Sequence, residues 1–179
     1  KYSLFDKSDF NEDFIDEFLF DINRSGINKK AQALINNGLQ TSGNLFNLQY
    51  DSVKKMRNML IENMHDYRNY YRNREGNFIK SWPKEGSLFG WLISLKKGGN
   101  LDSHNHKEGW LSSSVYLKMP QKKNDEGNIK FSLNGAKYET DGVKYPEKII
   151  DISVGDMIMF PSSIFHSTIP FSSNEFRIT

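Results

Sequence analysis

The sequence predicts an α+β fold in which a helical first half supports a β-barrel formed by the second half. Apolar residues recur at helical spacing through roughly the first 80 positions, whereas short apolar runs bounded by turn residues follow from position 86. Helices followed by closely spaced strands favour a jelly roll, also called a double-stranded β-helix. The 179 residues suit a single domain over residues 1–179, with 1–80 as the helical support and 86–179 as the barrel.

Three helices are predicted in the first half. The first carries a large apolar residue at every fourth position, on a single stripe: Phe10, Phe14, Phe18 and Ile22. A short second helix is expected from Asn28 to Asn37, with Asn28 as its N-cap and Gly38 as the left-handed residue after its end. A long third helix begins near Ser52 and keeps helical spacing through Val53, Met56, Leu60, Met64, Tyr67 and Tyr71.

Short strands are predicted in the second half, at Leu88–Leu95, Ser112–Met119, Asn128–Leu133, Lys148–Ile152, Met157–Phe160 and from Phe176 onward. Turn-forming residues separate them, among them the Gly98-Gly99 pair and Asn134-Gly135. The last strand is cut by the end of the chain, and the first residue is Lys1 rather than methionine. We therefore expect the chain to be a piece of a longer protein.

Composition argues against several classes of protein and partner. The net charge is +2, with 24 basic and 22 acidic residues, so no strong field points to nucleic acid or to an anionic membrane. No apolar run approaches the roughly 20 residues of a membrane-spanning helix. The absence of cysteine excludes disulfides and thiolate metal sites and favours a cytoplasmic location. We expect a small-molecule or peptide substrate, and composition leaves the oligomeric state open.

The first candidate site residues are two histidines separated by one residue. In an extended segment, side chains two positions apart face the same side, so Asp102, His104 and His106 are expected to point one way. Imidazole is a common ligand of first-row transition metals. By itself a His-x-His pair is a weak signal, because surface or structural histidines also occur at this spacing.

A third histidine and an arginine strengthen the metal hypothesis. His166 follows an apolar strand that ends near Pro161, and it is distant from His106 in sequence. A barrel requires such a third ligand, from a strand that is far away in sequence but adjacent in space. Arg177 and Thr179 come later and share one face of the last predicted strand. A guanidinium pairs bidentately with a carboxylate, and a neighbouring hydroxyl can donate a further hydrogen bond. The pattern predicts a three-histidine metal site beside a carboxylate-binding arginine.

These motifs resemble the 2-oxoglutarate/Fe(II)-dependent oxygenase superfamily over roughly Leu88–Thr179. The resemblance is closest to a group of bacterial and phage oxygenases with an H-x-H…H…R-x-S/T pattern. It is carried by Gly98-Gly99, His104-x-His106, Leu111-Ser112, Val115-Tyr116-Leu117-Lys118-Met119-Pro120 and Gly155…Phe160-Pro161…His166…Arg177-x-Thr179. The segment Gln40–Leu45 is also similar to the upstream part of that group.

The resemblance implies a role for each matching residue. The implied metal ligands are His104, His106 and His166. The implied residues for the remote carboxylate of 2-oxoglutarate are Arg177, Thr179 and Tyr116. The implied activity is that of a non-haem Fe(II) dioxygenase, which uses O2 and couples oxidative decarboxylation of 2-oxoglutarate to hydroxylation of a substrate. No catalytic residue beyond the metal centre is implied.

Two positions depart from the superfamily pattern. Most members have aspartate or glutamate where this chain has His106. Either the site uses three histidines, as we expect, or a nearby carboxylate, Asp102 or Glu108, completes it. The second departure is Ser113, which stands where the group has glycine.

A cupin is the alternative interpretation, since the two histidine clusters also resemble the two cupin motifs on the same architecture. Such a metal-binding protein would be a three-histidine dioxygenase, an isomerase or a sensor, and it would not use 2-oxoglutarate. Two features argue against it: Trp110 and Leu111 stand where a cupin glutamate is expected, and a cupin gives Arg177-x-Thr179 no role. A metal-free interaction module is disfavoured because it would have no reason to keep the three histidines and the arginine.

The remaining candidate positions lie around the histidine clusters. Asn105 separates the first pair of histidines, and Trp110 follows them. Both are candidates for the substrate pocket. His65 falls within the third predicted helix and is interpreted as a residue that binds no metal. Trp82 and Trp91 are interpreted as packing residues.

Overall fold

Helices precede most of the strands along the chain. The computed structural model describes residues 3–4, 10–74, 76–135, 138–140 and 142–179. Its helices are α1 (Glu12–Arg24), α2 (Asp51–Tyr71) and α3 (Asn77–Lys80). Its strands are β1 (Ser3–Leu4), β2 (Lys29–Lys30), β3 (Ile35–Thr41), β4 (Ile93–Leu101), β5 (Leu111–Val115), β6 (Ile129–Ser132), β7 (Glu147–Ile150), β8 (Met157–Pro161), β9 (Phe165–Thr168) and β10 (Arg177–Ile178).

Helix α1 forms for the reasons that its sequence indicates. Asn11 caps its first turn, where the side-chain oxygen Oδ1 accepts a hydrogen bond from the backbone N–H of Phe14 at 2.9 Å. The apolar stripe is confirmed, because Phe14, Phe18 and Ile22 are all buried, and Phe10 is buried just before the helix.

Helix α2 packs against α1 through the stripe that the sequence predicts. Val53, Met56 and Leu60 are buried in the same apolar cluster as the α1 stripe. One buried carboxylate also joins the two helices: Ser52 Oγ donates to Asp21 Oδ2 at 2.5 Å. No helix in the described part of the chain is long and apolar enough to cross a membrane.

The helix predicted over Asn28–Asn37 is wrong. These residues belong instead to β2, to the start of β3 and to the connection between them, and β3 pairs antiparallel with β4. The local capping pattern is overridden by this pairing, which brings the backbone so close to β4 that a Cβ on Gly38 would lie 2.5 Å from Leu95 Cδ2. Asn37, rather than Gly38, takes the left-handed conformation, with φ of 49°.

Three antiparallel sheets are present in the described residues, with strand orders β1-β8-β5, β10-β4-β3-β2 and β7-β6-β9. Two isolated bridges link them. Lys118 pairs with Ile178 and joins the segment after β5 to β10, while His104 pairs with His166 and joins the segment after β4 to β9. A second apolar cluster, drawn mainly from β5, β6, β7 and β8 and the residues next to them, lies between the first and third sheets. The fold is therefore mixed α and β with antiparallel sheets.

The predicted strands occur, but several boundaries differ. The first begins at Ile93 rather than Leu88 and runs through the Gly98-Gly99 pair to Leu101. Gly98 has φ of +72°, and a Cβ on Gly99 would lie 2.6 Å from the carbonyl oxygen of Lys96. These glycines therefore permit an irregularity within β4 rather than its end. The other strands overlap their predicted ranges, whereas β1, β2, β3 and β9 were not predicted as strands.

The burial of the α1 stripe predicts a large loss of stability for Phe18→Ala. Phe18 is 2% exposed, and truncating a buried phenylalanine costs about 3–5 kcal/mol of the free energy of unfolding. Urea denaturation measures this loss. The matched control on the same helix is Phe20→Ala, because Phe20 is 64% exposed and its loss costs about 1 kcal/mol or less. Equal losses in the two variants would contradict the packing described.

Candidate metal centre

Three imidazole rings converge where the second and third sheets meet. Ligand nitrogens of His104, His106 and His166 all lie within 4.8 Å of one another. The ring centroids are 4.3 Å apart for His104 and His166, and 5.1 and 5.2 Å for the pairs that include His106. The two sequence clusters are thus brought together, with His104 and His106 after β4 and His166 on β9.

Backbone hydrogen bonds position the three rings. The N–H of His104 donates to the carbonyl of His166 at 3.0 Å, and the N–H of His166 donates back at 2.9 Å. The N–H of His106 donates to the carbonyl of Ser162 at 2.9 Å. Ser162 is fully buried, and its hydroxyl lies 2.8 Å from that of Ser112. Sequence analysis missed Ser162 because it holds His106 through a main-chain atom, which any residue type supplies.

Two of the histidines are held in one tautomer. His104 Nδ1 lies 2.7 Å from the carbonyl oxygen of Asp102, and His166 Nδ1 lies 3.1 Å from that of Ile164. A carbonyl oxygen can only accept, so each Nδ1 carries the proton and each Nε2 keeps its lone pair. This arrangement is typical of metal-binding histidines, whose second nitrogen is fixed by a backbone or carboxylate acceptor.

The environment favours the uncharged form of two of the three imidazoles, those of His106 and His166. Burial, together with the adjacent His104 ring, lowers the pKa of His166 to about 3. Burial and His104 also lower the pKa of His106. The phenyl rings of Phe160 and Phe131 lie 4.7 and 6.4 Å from the His166 ring and exclude water from that side. Neutral imidazoles with free lone pairs are the form that binds a transition metal.

The two alternative carboxylates lie outside the histidine group. Among the described residues, the group close enough to share an ion contains only the three histidines. The Asp102 oxygen Oδ1 accepts hydrogen bonds from the side-chain amides of Asn36 and Asn100, both at 3.0 Å. Asp102 therefore touches the site through its carbonyl oxygen. Glu108 is exposed.

Arg177 is buried, and no described residue gives it an anionic partner. It is 3% exposed, and its Nε donates to the carbonyl of Gly127 at 2.9 Å while its Nη1 donates to Thr179 Oγ1 at 2.9 Å. Its Cζ lies 5.2 Å from the ring centroid of Tyr116. No carboxylate of the described residues pairs with it, and burial lowers its pKa. A buried cation of this kind calls for an anion.

The buried Tyr116 hydroxyl lies beside Arg177 and has no hydrogen-bond partner among the described residues. The residue is 0% exposed, and its hydroxyl makes no hydrogen bond within the described part of the chain. Burial raises its pKa to about 12 against the opposing effect of Arg177, so it is a neutral donor at neutral pH. An unpaired buried donor beside an unpaired buried cation fits a bound carboxylate.

The other predicted positions differ in their surroundings. Trp110 stacks on Phe78 with centroids 5.3 Å apart, at 37% exposure, and Asn105 Nδ2 lies 3.4 Å from the Ser163 carbonyl oxygen. Trp91, expected to serve packing alone, also lies 5.8 Å from the His106 ring. His65 is exposed on α2, away from the cluster.

A cavity of about 350 Å³ is lined by Phe131, Ser132, Leu133, Pro146, Glu147, Lys148, Phe160 and Ile164.

Comparison of the sequence with protein families identifies the chain. The family described as "Putative 2OG-Fe(II) oxygenase" matches residues 90–179, just over half of the 179 residues, including all three histidines and Arg177. The chain belongs to this 2OG-Fe(II) oxygenase family. The enzymes of this class use Fe(II), 2-oxoglutarate and O2. The assignment decides against the cupin interpretation. No curated protein has a significantly similar sequence.

Solved structures share the fold of this oxygenase. HygX from Streptomyces hygroscopicus, with nickel and 2-oxoglutarate bound, has a TM-score of 0.64 at 10% identity, over 99% of this chain and 79% of that one. A prolyl hydroxylase from Trichoplax adhaerens gives 0.64 at 12% identity, over 99% and 80%. A Pseudomonas putida prolyl-4-hydroxylase gives 0.58 at 13% identity, over 99% and 88%.

The lowered pKa of His166 predicts that the metal-free oxygenase loses stability in acid. The pKa is about 3 in the folded chain and about 6.5 in an unfolded one, so the unfolded state takes up the proton first. The contribution of His166 to the free energy of unfolding is fully present above about pH 6.5. It is lost as the pH falls towards 3, by at most about 1.4 kcal/mol per pH unit. Urea denaturation of EDTA-treated protein measures this slope.

His166→Gln is the control for the acid prediction, because glutamine does not titrate. Its free energy of unfolding is expected to fall less steeply between pH 6.5 and 4 than that of the wild type. Identical slopes in the two proteins would contradict the assignment of the proton uptake to His166.

Proposed function

We propose that this oxygenase couples the oxidative decarboxylation of 2-oxoglutarate to the hydroxylation of a small-molecule or peptide substrate. In this proposal Fe(II) is bound by His104, His106 and His166. The remote carboxylate of 2-oxoglutarate is bound by Arg177, Thr179 and Tyr116. The observation that carries the proposal is the occurrence, on linked sheets, of a three-imidazole cluster and a buried guanidinium that no described carboxylate pairs with.

The donor set fits a first-row transition metal. Imidazole nitrogens suit iron, and a site with three protein ligands leaves coordination positions for a co-substrate and O2. When bound, Fe(II) with 2-oxoglutarate and O2 supplies the oxidising chemistry, in which the co-substrate becomes succinate and CO2 and one oxygen atom enters a substrate C–H bond. His104 and His166 contribute by presenting Nε2 in a fixed tautomer, because their Nδ1 protons are held by backbone carbonyls.

Arg177 and Tyr116 would bind and orient the co-substrate. Two donors of Arg177 are taken by Gly127 and Thr179, and the fork retains further N–H groups on Nη1 and Nη2. The hydroxyl of Thr179 accepts from Arg177 and is therefore free to donate its own proton. A carboxylate offers about four lone pairs, so it can accept from the guanidinium and from both hydroxyls together. Fixing the remote end in this way would orient the 2-oxo acid end toward the histidines.

The architecture and substrate remain part of the proposal. We propose that residues 1–179 form one domain whose sheets make a double-stranded β-helix, supported by the similarity to solved oxygenases.

A small-molecule or peptide substrate is supported by two of the similar solved structures. One has hygromycin B bound, and the other is a complex with a peptide fragment of hypoxia inducible factor. Phe131 and Phe160, which line the cavity of about 350 Å³, also contact His166, so this cavity is a candidate for the substrate.

Binding of 2-oxoglutarate to the anaerobic Fe(II) protein tests the function directly. We expect 2-oxoglutarate to bind and, once O2 is added, to yield succinate and CO2 in equal amounts, slowly when no substrate is present. The readouts are calorimetric titration and chromatographic detection of succinate. Absence of binding at millimolar 2-oxoglutarate would overturn the proposal.

His166→Ala is expected to abolish tight Fe(II) binding, because it removes one of three ligands from a site with no described carboxylate to replace it. Anaerobic titration with Fe(II), or with Mn(II) as a stable substitute, measures the change in affinity. His65→Ala is the matched control, since His65 is an exposed histidine on α2. Retention of wild-type affinity by His166→Ala would remove His166 from the ligand set.

Arg177→Ala is expected to weaken 2-oxoglutarate binding about 100-fold or more while leaving Fe(II) affinity unchanged. The reason is that a carboxylate would lose its buried cationic partner, which costs about 3 kcal/mol or more. Arg177→Lys keeps the charge but loses the planar fork, so its affinity is expected to lie between those of the wild type and the alanine variant. Unchanged 2-oxoglutarate affinity in Arg177→Ala would contradict the role proposed for Arg177.

A further inference from the structure

A row of hydroxyls faces the interior from β5 and the residue that follows it. Ser112, Ser114 and Tyr116 are two positions apart and therefore share one face of the strand. The register of β5 with β8 places Ser112 opposite Phe160 and Ser114 opposite Ile158. Both partners belong to the buried apolar cluster that also contains Tyr116. The three hydroxyls thus form a polar line on an otherwise apolar interior wall.

The alternate residues of the same segment face the helices. Leu111, Val115 and Leu117 pack in the apolar cluster that α1 and α2 share. Ser113 lies on this second face, opposite Met159 of the same cluster, and is exposed. Ser113 and Ser114 are therefore adjacent serines with opposite surroundings, one on each side of the strand.

The contacts of the two interior serines differ. The hydroxyl of Ser112 lies 2.8 Å from the hydroxyl of Ser162, the residue whose carbonyl accepts the backbone hydrogen bond of His106. Ser114 lies about 7 Å further along the strand, toward Arg177. Because Ser114 and Tyr116 are two positions apart, their side chains lie next to each other on one face. The Ser114 side chain also opposes the rise that burial causes in the pKa of the Tyr116 hydroxyl. Ser114 is half-buried although its cross-strand partner Ile158 is 0% exposed, so accessible space lies beside it.

We propose that Ser114 is a further co-substrate-binding residue, whose hydroxyl donates a hydrogen bond to the remote carboxylate of 2-oxoglutarate beside Tyr116 and Arg177. The inference rests on the proposed function. A carboxylate accepts hydrogen bonds but donates none, and it has enough lone pairs for the guanidinium and two or three hydroxyls. The buried Tyr116 hydroxyl needs such a partner, because burying it unpaired is unfavourable, and the half-buried Ser114 hydroxyl on the same face can donate to the same acceptor.

Two ligands that differ only at the remote end test the inference. 2-Oxoglutarate and 2-oxopentanoate share the 2-oxo acid group that binds the metal, but the second has a methyl group in place of the remote carboxylate. Dissociation constants are measured by calorimetry on the Mn(II)-loaded full chain without O2. We expect Ser114→Ala to weaken 2-oxoglutarate about tenfold or more, as for a hydrogen bond to a charged group, and to leave 2-oxopentanoate unchanged.

Two comparisons separate a binding role from a packing role. Ser113→Ala, on the opposite face, is expected to bind both ligands as the wild type does. Ser114→Thr and Ser114→Val have nearly the same shape, and only the threonine variant, which keeps the hydroxyl, is expected to retain 2-oxoglutarate affinity. Equal affinities in the threonine and valine variants, or equal weakening of both ligands by Ser114→Ala, would overturn the inference. If the wild type binds no 2-oxoglutarate, the proposed function itself falls.

Discussion

Two reciprocal backbone hydrogen bonds between His104 and His166, at 3.0 and 2.9 Å, hold the candidate metal centre together. These hydrogen bonds join the segment that follows β4 to strand β9. They therefore connect two different sheets, one containing β4 and the other β9. The same pairing brings two imidazoles from distant parts of the sequence to a centroid distance of 4.3 Å. Because the main chain makes this contact, the positions of both rings depend on sheet geometry rather than on the side chains around them.

The charge balance of the site follows from its ligands. In the proposed site, three histidine ligands, none of which can carry a negative charge, would leave the two positive charges of Fe(II) uncompensated by the protein, and the buried Arg177 would add a third. In the usual set of two histidines and one carboxylate, the protein itself supplies one negative charge. With His106 in that position, the dianionic 2-oxoglutarate would be the principal counter-charge. We therefore expect metal and co-substrate to strengthen each other's binding more in this chain than in relatives with a carboxylate ligand.

Sequence patterns predicted the parts of the fold that local periodicity controls, and failed where distant pairing decides. The apolar stripes of α1 and α2 were predicted because helical spacing is a property of the segment itself. The helix expected over Asn28–Asn37 was wrong because pairing of β3 with β4 overrides its capping pattern. In the candidate site, residue type and offset predicted that His166 joins the two earlier histidines, and the three rings do lie together. The roles of His166 and Arg177 stay predictions. The support from Ser162 and the Asp102 carbonyl could not be predicted, since main-chain contacts leave no mark on residue identity.

The contact between Trp91 and His106 gives the chain a built-in optical reporter. The indole lies 5.8 Å from an imidazole of the metal centre, whereas Trp82 and Trp110 lie in the aromatic group around Phe78. An excited indole loses its emission to a nearby open-shell ion, and this quenching falls steeply with distance. Trp91 fluorescence would therefore dim when manganese, iron or nickel enters and stay bright with zinc, so occupancy could be followed in solution without a label.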